Sequence, residues 1–80
     1  MTPFDIEIIR AYADCDMNII AAAKKLYVHP NTIYYHFEKI KKQTGLRPNK
    51  FGDLVTLLSM IEKGETDETN DEVGSYSDSE

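Results

Sequence analysis

Between Lys24 and Lys42 the chain concentrates side chains that hydrogen-bond or pair with charge, and none in an arrangement that makes and breaks bonds. Lys24 and Lys25 are followed by His29, Asn31, Thr32, Tyr34, Tyr35, His36, Lys39 and Lys42. The two histidines stand far along the chain from any Ser, Cys or carboxylate constellation, and there is no glycine-rich phosphate loop, so an enzyme is not expected. The chemistry on offer is recognition of a polar, anionic surface. Asn suits a bidentate pair with adenine and His can donate to guanine. Lys serves phosphate or guanine, and Thr or Tyr can bond phosphate or touch a thymine methyl. Over residues 24–50 seven Lys and Arg stand against Glu38 alone, a local charge of +6, which is the electrostatic footprint of a nucleic-acid face.

These side chains must be held by helices. Ile19, Ala22, Ala23 and Leu26 fall at i, i+3, i+4 and i+7, and Ile33, Phe37, Ile40 and Thr44 recur at helical spacing, so two amphipathic helices meet across Tyr27, Val28 and His29. Pro30 suits a first helical position, which makes His29 the N-cap. The short break between two apolar stripes predicts a helix-turn-helix, with Val28 filling the gap beneath the crossing and Tyr27 expected in the core. On the second of the two helices, a rotation of roughly 100° per residue turns Asn31, Tyr35, Glu38 and Lys42 outward. Thr32, His36 and Lys39 lie on one flank and Tyr34 on the other. Since the N-terminal residues of a recognition helix enter the major groove first, Asn31, Thr32, Tyr35, His36 and Lys39 are the expected base or phosphate readers. Lys24, Lys25 and His29 would hold phosphate.

The segment AAAKKLYVHPNTIYYHFEKI resembles the C-terminal DNA-binding domain of PucR/CdaR-type bacterial transcription factors, the sugar diacid regulators, whose pattern runs roughly AARRLFVHRNTVRYRLRRI. The Ala-Ala pair, two basic residues, Leu, an aromatic, Val-His, Asn-Thr, an aliphatic residue, Tyr and the closing Ile keep their order and spacing. The likeness runs from about Ile6 to Ile61 and implies a helix-turn-helix fold that binds DNA. Pro30, Tyr34, His36 and Glu38 stand where the family tends to carry arginine.

The rest of the chain predicts the walls around this pair. Thr2 reads as an N-cap, Pro3 as the first helical residue and Asp5 as an acid at the positive end of a helix running to about Asp14. Ile6, Ile9 and Ala13 form its expected core row, widened by Phe4, Ile8 and Tyr12. Asn18 caps the next helix. Thr44-Gly45-Leu46 is a stop signal, with Gly45 left-handed and Leu46 folding back. Asn49 is the expected cap of a last helix from about Lys50 to Glu62. Its stripe is Phe51, Leu54, Leu58 and Ile61, and Val55, Leu57 and Met60 are left over for closing the core or for a homodimer face.

Composition bounds the function classes. The eighty residues carry a net charge of −5 with one cysteine, Cys15, so no internal disulfide forms, and no Cys/His set has zinc-ligand spacing. No apolar run approaches the about 20 residues of a membrane span, and no signal peptide is recognisable, which predicts a soluble cytoplasmic protein without a membrane partner. The charge divides into +2 over residues 1–64 and −7 over residues 65–80. The acidic segment has too few apolar residues to offset its ordering entropy and is expected to be disordered, either competing with DNA for the basic face or solubilising the chain.

The expectation is an all-α, small four-helix domain over residues 1–64 with a disordered acidic tail over 65–80, binding double-stranded DNA as a sequence-specific regulator and homodimer. No cofactor, metal or small-molecule effector is evident, and the length suits either a stand-alone regulator or an excised domain. The alternative is a protein-interaction module on the same scaffold, using Tyr27, Tyr34, Tyr35 and the last helix. The missing arginines and the acidic tail favour it.

Overall fold

The structure is a computed structural model that describes residues 1–64; the segment 65–80, expected to be disordered, lies outside the described residues. Among the described residues the chain forms four helices and no strand: α1 Pro3–Asp14, α2 Ile19–Leu26, α3 Pro30–Thr44 and α4 Phe51–Glu62. This is the all-α architecture that the periodicity predicts, with the helix-turn-helix at α2 and α3.

Each junction follows from local chemistry. At the start of α1, the Thr2 hydroxyl accepts from Asp5 N–H at 3.1 Å and the Asp5 carboxylate accepts from Thr2 N–H at 2.8 Å, a reciprocal capping box. Asn18 caps α2 by accepting from Ala21 N–H. Leaving α2, Tyr27 takes a left-handed conformation with φ 59°. Its N–H reaches Lys24 O while Val28 N–H reaches Ala23 O. That pair of bonds is a Schellman motif, and it folds half-buried Val28 back against the core. Gly45 ends α3 at φ 77°, donating to Lys41 O, and the Thr44 hydroxyl donates to Ile40 O while accepting from Leu46 N–H.

The core joins Ile8, Ile9 and Tyr12 of α1 to Ala22 and Ala23 of α2, Ile33, Phe37 and Ile40 of α3, and Leu54, Leu57 and Ile61 of α4. Alanine at both buried positions of α2 lets its backbone come close to its neighbours. Tyr12 meets Phe37 edge to face with ring centroids 4.9 Å apart, a favoured aromatic geometry.

Several sequence expectations are corrected. The buried row of α1 is Asp5, Ile8, Ile9, Ala11 and Tyr12, while Ile6 and Ala13 are only half-buried. The row is thus rotated toward an acid that apolar patterning alone leaves out. On α4, Leu57 is fully buried, whereas Phe51 is 71% exposed; its place in the first turn projects it past the end of the core. Leu57 is therefore no part of a free face, which consists of Phe51 and Val55. Lys50, rather than Asn49, occupies the N-cap of α4 and makes no side-chain cap bond. Asp53 instead secures the preceding loop by accepting from Arg47 N–H at 3.0 Å. Tyr27, expected in the core, is 95% exposed, because the left-handed turn that seats Val28 points its neighbour outward.

Asp5 is fully buried and ties α1 to α3. Its Oδ1 accepts from His36 Nδ1 at 2.6 Å and lies 3.4 Å from Lys39 Nζ, while Oδ2 serves the capping box. Burial pushes the carboxyl up, but the Thr2 backbone N–H, His36, the Thr2 hydroxyl and Lys39 together outweigh it and leave the group below its ordinary 3.8. The ionised carboxylate is an acceptor only, so His36 Nδ1 carries the hydrogen. Asp5→Ala removes the carboxylate half of the capping box and the link to α3 at once, while the bond from the backbone N–H of residue 5 to the Thr2 hydroxyl remains. It is expected to cost roughly 2–4 kcal/mol of stability, visible as a lower urea midpoint. A carboxyl whose folded value lies below its unfolded one contributes stability that is full above the unfolded value and is lost as pH falls through the folded one. Wild-type stability should therefore drop in that acid window, and Asp5→Asn should show a flatter profile there.

Candidate nucleic-acid interface

The helix-turn-helix presents its polar side chains in two groups. Along the outward face of α3, Asn31, Tyr34, Tyr35, Glu38 and Lys42 are exposed, and Thr32 is half-buried. Thr32 N–H donates to His29 O at 2.9 Å, closing the first turn of α3. Lys24 and Lys25 are exposed in the last turn of α2, where cations also complement the helix dipole. His29 is exposed and caps α3, its Nδ1 accepting from Asn31 N–H at 3.0 Å. An acceptor Nδ1 places the ring hydrogen on Nε2, so His29 keeps one donor for an external acceptor.

The structure divides the second flank of α3 from that group. His36 and Lys39 both turn to Asp5, with side chains 13% and 29% exposed. The His36 ring is also gripped edge to face by Phe4 at 5.1 Å and Tyr35 at 5.3 Å. A carboxylate therefore does stand beside a histidine, contrary to the sequence reading. The sequence signal was available: Asp5, Ile8, Ile9 and Tyr12 follow i, i+3, i+4, i+7, which puts an acid in a core stripe and calls for a cationic or donor partner. The pair is packed between helices rather than set in a cleft, so it orients α3. It also leaves Lys24, Lys25 and Lys42 as the cations of the expected set that carry no ion pair among the described residues.

Tyr27 is the residue whose position sequence patterning misjudged most. It combines near-complete exposure with a left-handed backbone, a conformation that costs a side-chain-bearing residue about 1–2 kcal/mol. An aromatic at such a place adds nothing to the core. Tyr34 is 53% and Tyr35 65% exposed. With Tyr27 they surround the turn and the first half of α3 with aromatic surface carrying hydroxyl donors. Burial, and then neighbouring Tyr34, push the Tyr12 phenol above its ordinary value, so the hydroxyl beneath this surface stays neutral. Among the described residues no three His, Cys, Asp or Glu converge as a metal site, and no helix is long and apolar enough to cross a membrane.

Comparison with known proteins adds a family. The model of the PucR C-terminal helix-turn-helix domain matches residues 6–62. Proteins of Mycobacterium bovis and Mycobacterium tuberculosis, both described as uncharacterised, are 44% identical to this chain over 55 residues, covering 69% of this chain and 13% of theirs. An uncharacterised protein of Haemophilus influenzae is 47% identical over 45 residues, covering 56% of this chain and 12% of its own length. The chain thus spans a small part of the length of these relatives. No solved structure matches it.

The strain at Tyr27 yields a direct expectation. Tyr27→Gly relieves the left-handed penalty against the greater freedom of an unfolded glycine. A net gain of about 0.5–1 kcal/mol should raise the melting temperature by a few degrees, on the scale of about 4–8 °C per kcal/mol for a domain of this size. A fall in melting temperature would show that the Tyr27 ring packs on the fold.

Proposed function

The chain belongs to the PucR C-terminal helix-turn-helix family of DNA-binding regulator domains, and from that premise we propose that it is a sequence-specific transcriptional regulator that lays α3 in the major groove of duplex DNA. The observation that carries this is the division of α3 into a side paired with Asp5 and an exposed side. The Asp5-bound flank fixes the helix, and the outward face offers Asn31, Tyr35 and Lys42 to solvent. Asn31, Thr32 and Tyr35 occupy the first turns of α3 and take the base-reading role. Lys24, Lys25, His29, Tyr34 and Lys42 take phosphates. His36 and Lys39 act through the seating of α3.

Two copies on a symmetric site complete the proposal. One recognition helix reads only a few base pairs, and a second helix about one turn of DNA away supplies the remaining specificity. Phe51 and Val55, the exposed apolar residues of α4, are the surface through which the copies would pair. The cytoplasm is where such a regulator meets DNA. The competing reading, a protein-binding module, draws on the exposed Tyr27, Tyr34 and Tyr35.

Substitutions separate specificity from general affinity. Asn31→Ala and Tyr35→Ala should weaken the preferred site more than random duplex, by about 1–3 kcal/mol where the side chain reads a base. Lys25→Ala should weaken both duplexes alike, as loss of a phosphate contact does. Fluorescence anisotropy titrations on the two duplexes measure both. Uniform losses in all three variants would remove α3 from the role of reader, and absence of duplex binding by the wild-type chain even at low salt would favour the protein-binding module.

A further inference from the structure

A groove of about 210 Å³ runs between α3 and the loop leading to α4, floored by Phe37 and Pro48. Tyr34, Glu38, Lys41, Arg47 and Asn49 form its rim. Apart from Tyr34 none of these is among the residues individually expected from the sequence to contact DNA; Arg47 and Asn49 lie beyond the end of α3. Pro48 is fully buried, and Arg47 N–H is fixed by Asp53, so the loop is braced against the domain. The side chains of Lys41 and Arg47 form no ion pair among the described residues. Lys41 alone would be explained by the favourable effect of a cation in the last turn of a helix. Arg47, outside the helix and converging on the same groove, has no such explanation.

Resting on the reading of α3 as a major-groove helix, we infer that this groove is a phosphate site for the sugar–phosphate backbone of the bound duplex, with Lys41 and Arg47 supplying charge and the Tyr34 hydroxyl and Asn49 amide supplying hydrogen bonds. A helix of about 10–12 Å diameter fills a major groove about 12 Å wide, so a strand of backbone lies along each of its flanks. On the flank carrying Thr32, His36 and Lys39, the Lys39 ammonium is held by Asp5. On the opposite flank Lys41 and Arg47 remain for phosphate. The guanidinium fork matches two phosphate oxygens, and the ammonium adds a point charge. Glu38, the one acid on the rim, sits against the outward face and keeps the anion toward the Lys41–Arg47 end.

The test compares the full chain with Lys41→Gln/Arg47→Gln and with Arg10→Gln/Lys63→Gln, which removes the same charge from α1 and the end of α4, away from the groove. Circular dichroism melting establishes that each variant is folded, and duplex affinity is measured across a salt series. Loss of two phosphate contacts should reduce the slope of log affinity against log salt by about 1.8, at about 0.9 per contact, and should weaken preferred and random duplexes alike. The Arg10/Lys63 variant should keep the wild-type slope. A groove variant whose slope and affinity match those of the Arg10/Lys63 variant overturns the phosphate site while leaving α3 as reader. Absence of duplex binding by the wild-type chain at low salt overturns both.

Discussion

A buried carboxylate with three external donors sets the geometry on which the rest of this fold depends. Asp5 closes the start of α1 through Thr2 and reaches the middle of α3 through His36 and Lys39, so one side chain fixes both the origin of the first helix and the rotation of the third. Taking a charge out of water is unfavourable by several kcal/mol, and the paired donors offset that cost only in one arrangement of the helices. Ile8, Ile9, Ile33 and Leu57 supply non-directional burial. Apolar packing of this kind tolerates small rotations of a helix; a carboxylate–imidazole bond of 2.6 Å does not.

With α3 held in that rotation, the exposure of its other side chains follows. Residues one turn apart on the far side, Asn31, Tyr35, Glu38 and Lys42, stand in solvent, and His36 and Lys39 cannot join them without releasing Asp5. The domain thus separates residues that orient α3 from residues that α3 leaves exposed. Much of the surface it presents adds little to its own stability: Tyr27 sits in a disfavoured backbone conformation, and Phe51 and Val55 leave apolar area in water. In a domain with so small a core, stability is limited, and features of this sort make physical sense where a partner covers them.

The sequence reveals the helices and their ends because capping chemistry is local. Thr2, Asn18, Pro30 and Gly45 each act within a few residues of themselves, and each stands where its type predicts. The core of α2 and α3 is equally legible, since Ala22, Ala23, Ile33, Phe37 and Ile40 follow the helical period without interruption. What sequence reasoning missed depends on contacts distant along the chain or on turn geometry. Asp5 meets His36 across 31 positions, so an acid at a helix start reads as a dipole effect until α3 is in place. Tyr27 reads as core by its type, and only the Schellman turn that buries Val28 shows why it faces out. The rim of the α3–α4 groove combines Tyr34 and Lys41 with Arg47 and Asn49, which no single helical stripe contains.

The most direct measurement is selection of bound sequences from a pool of random duplex DNA by the full chain, followed by sequencing of what is retained. Recognition through the outward face of α3 requires a short, reproducible motif to be enriched, and its enrichment to disappear with Asn31→Ala and Tyr35→Ala. A retained pool indistinguishable in sequence from the input, under conditions where the chain is folded, would contradict it.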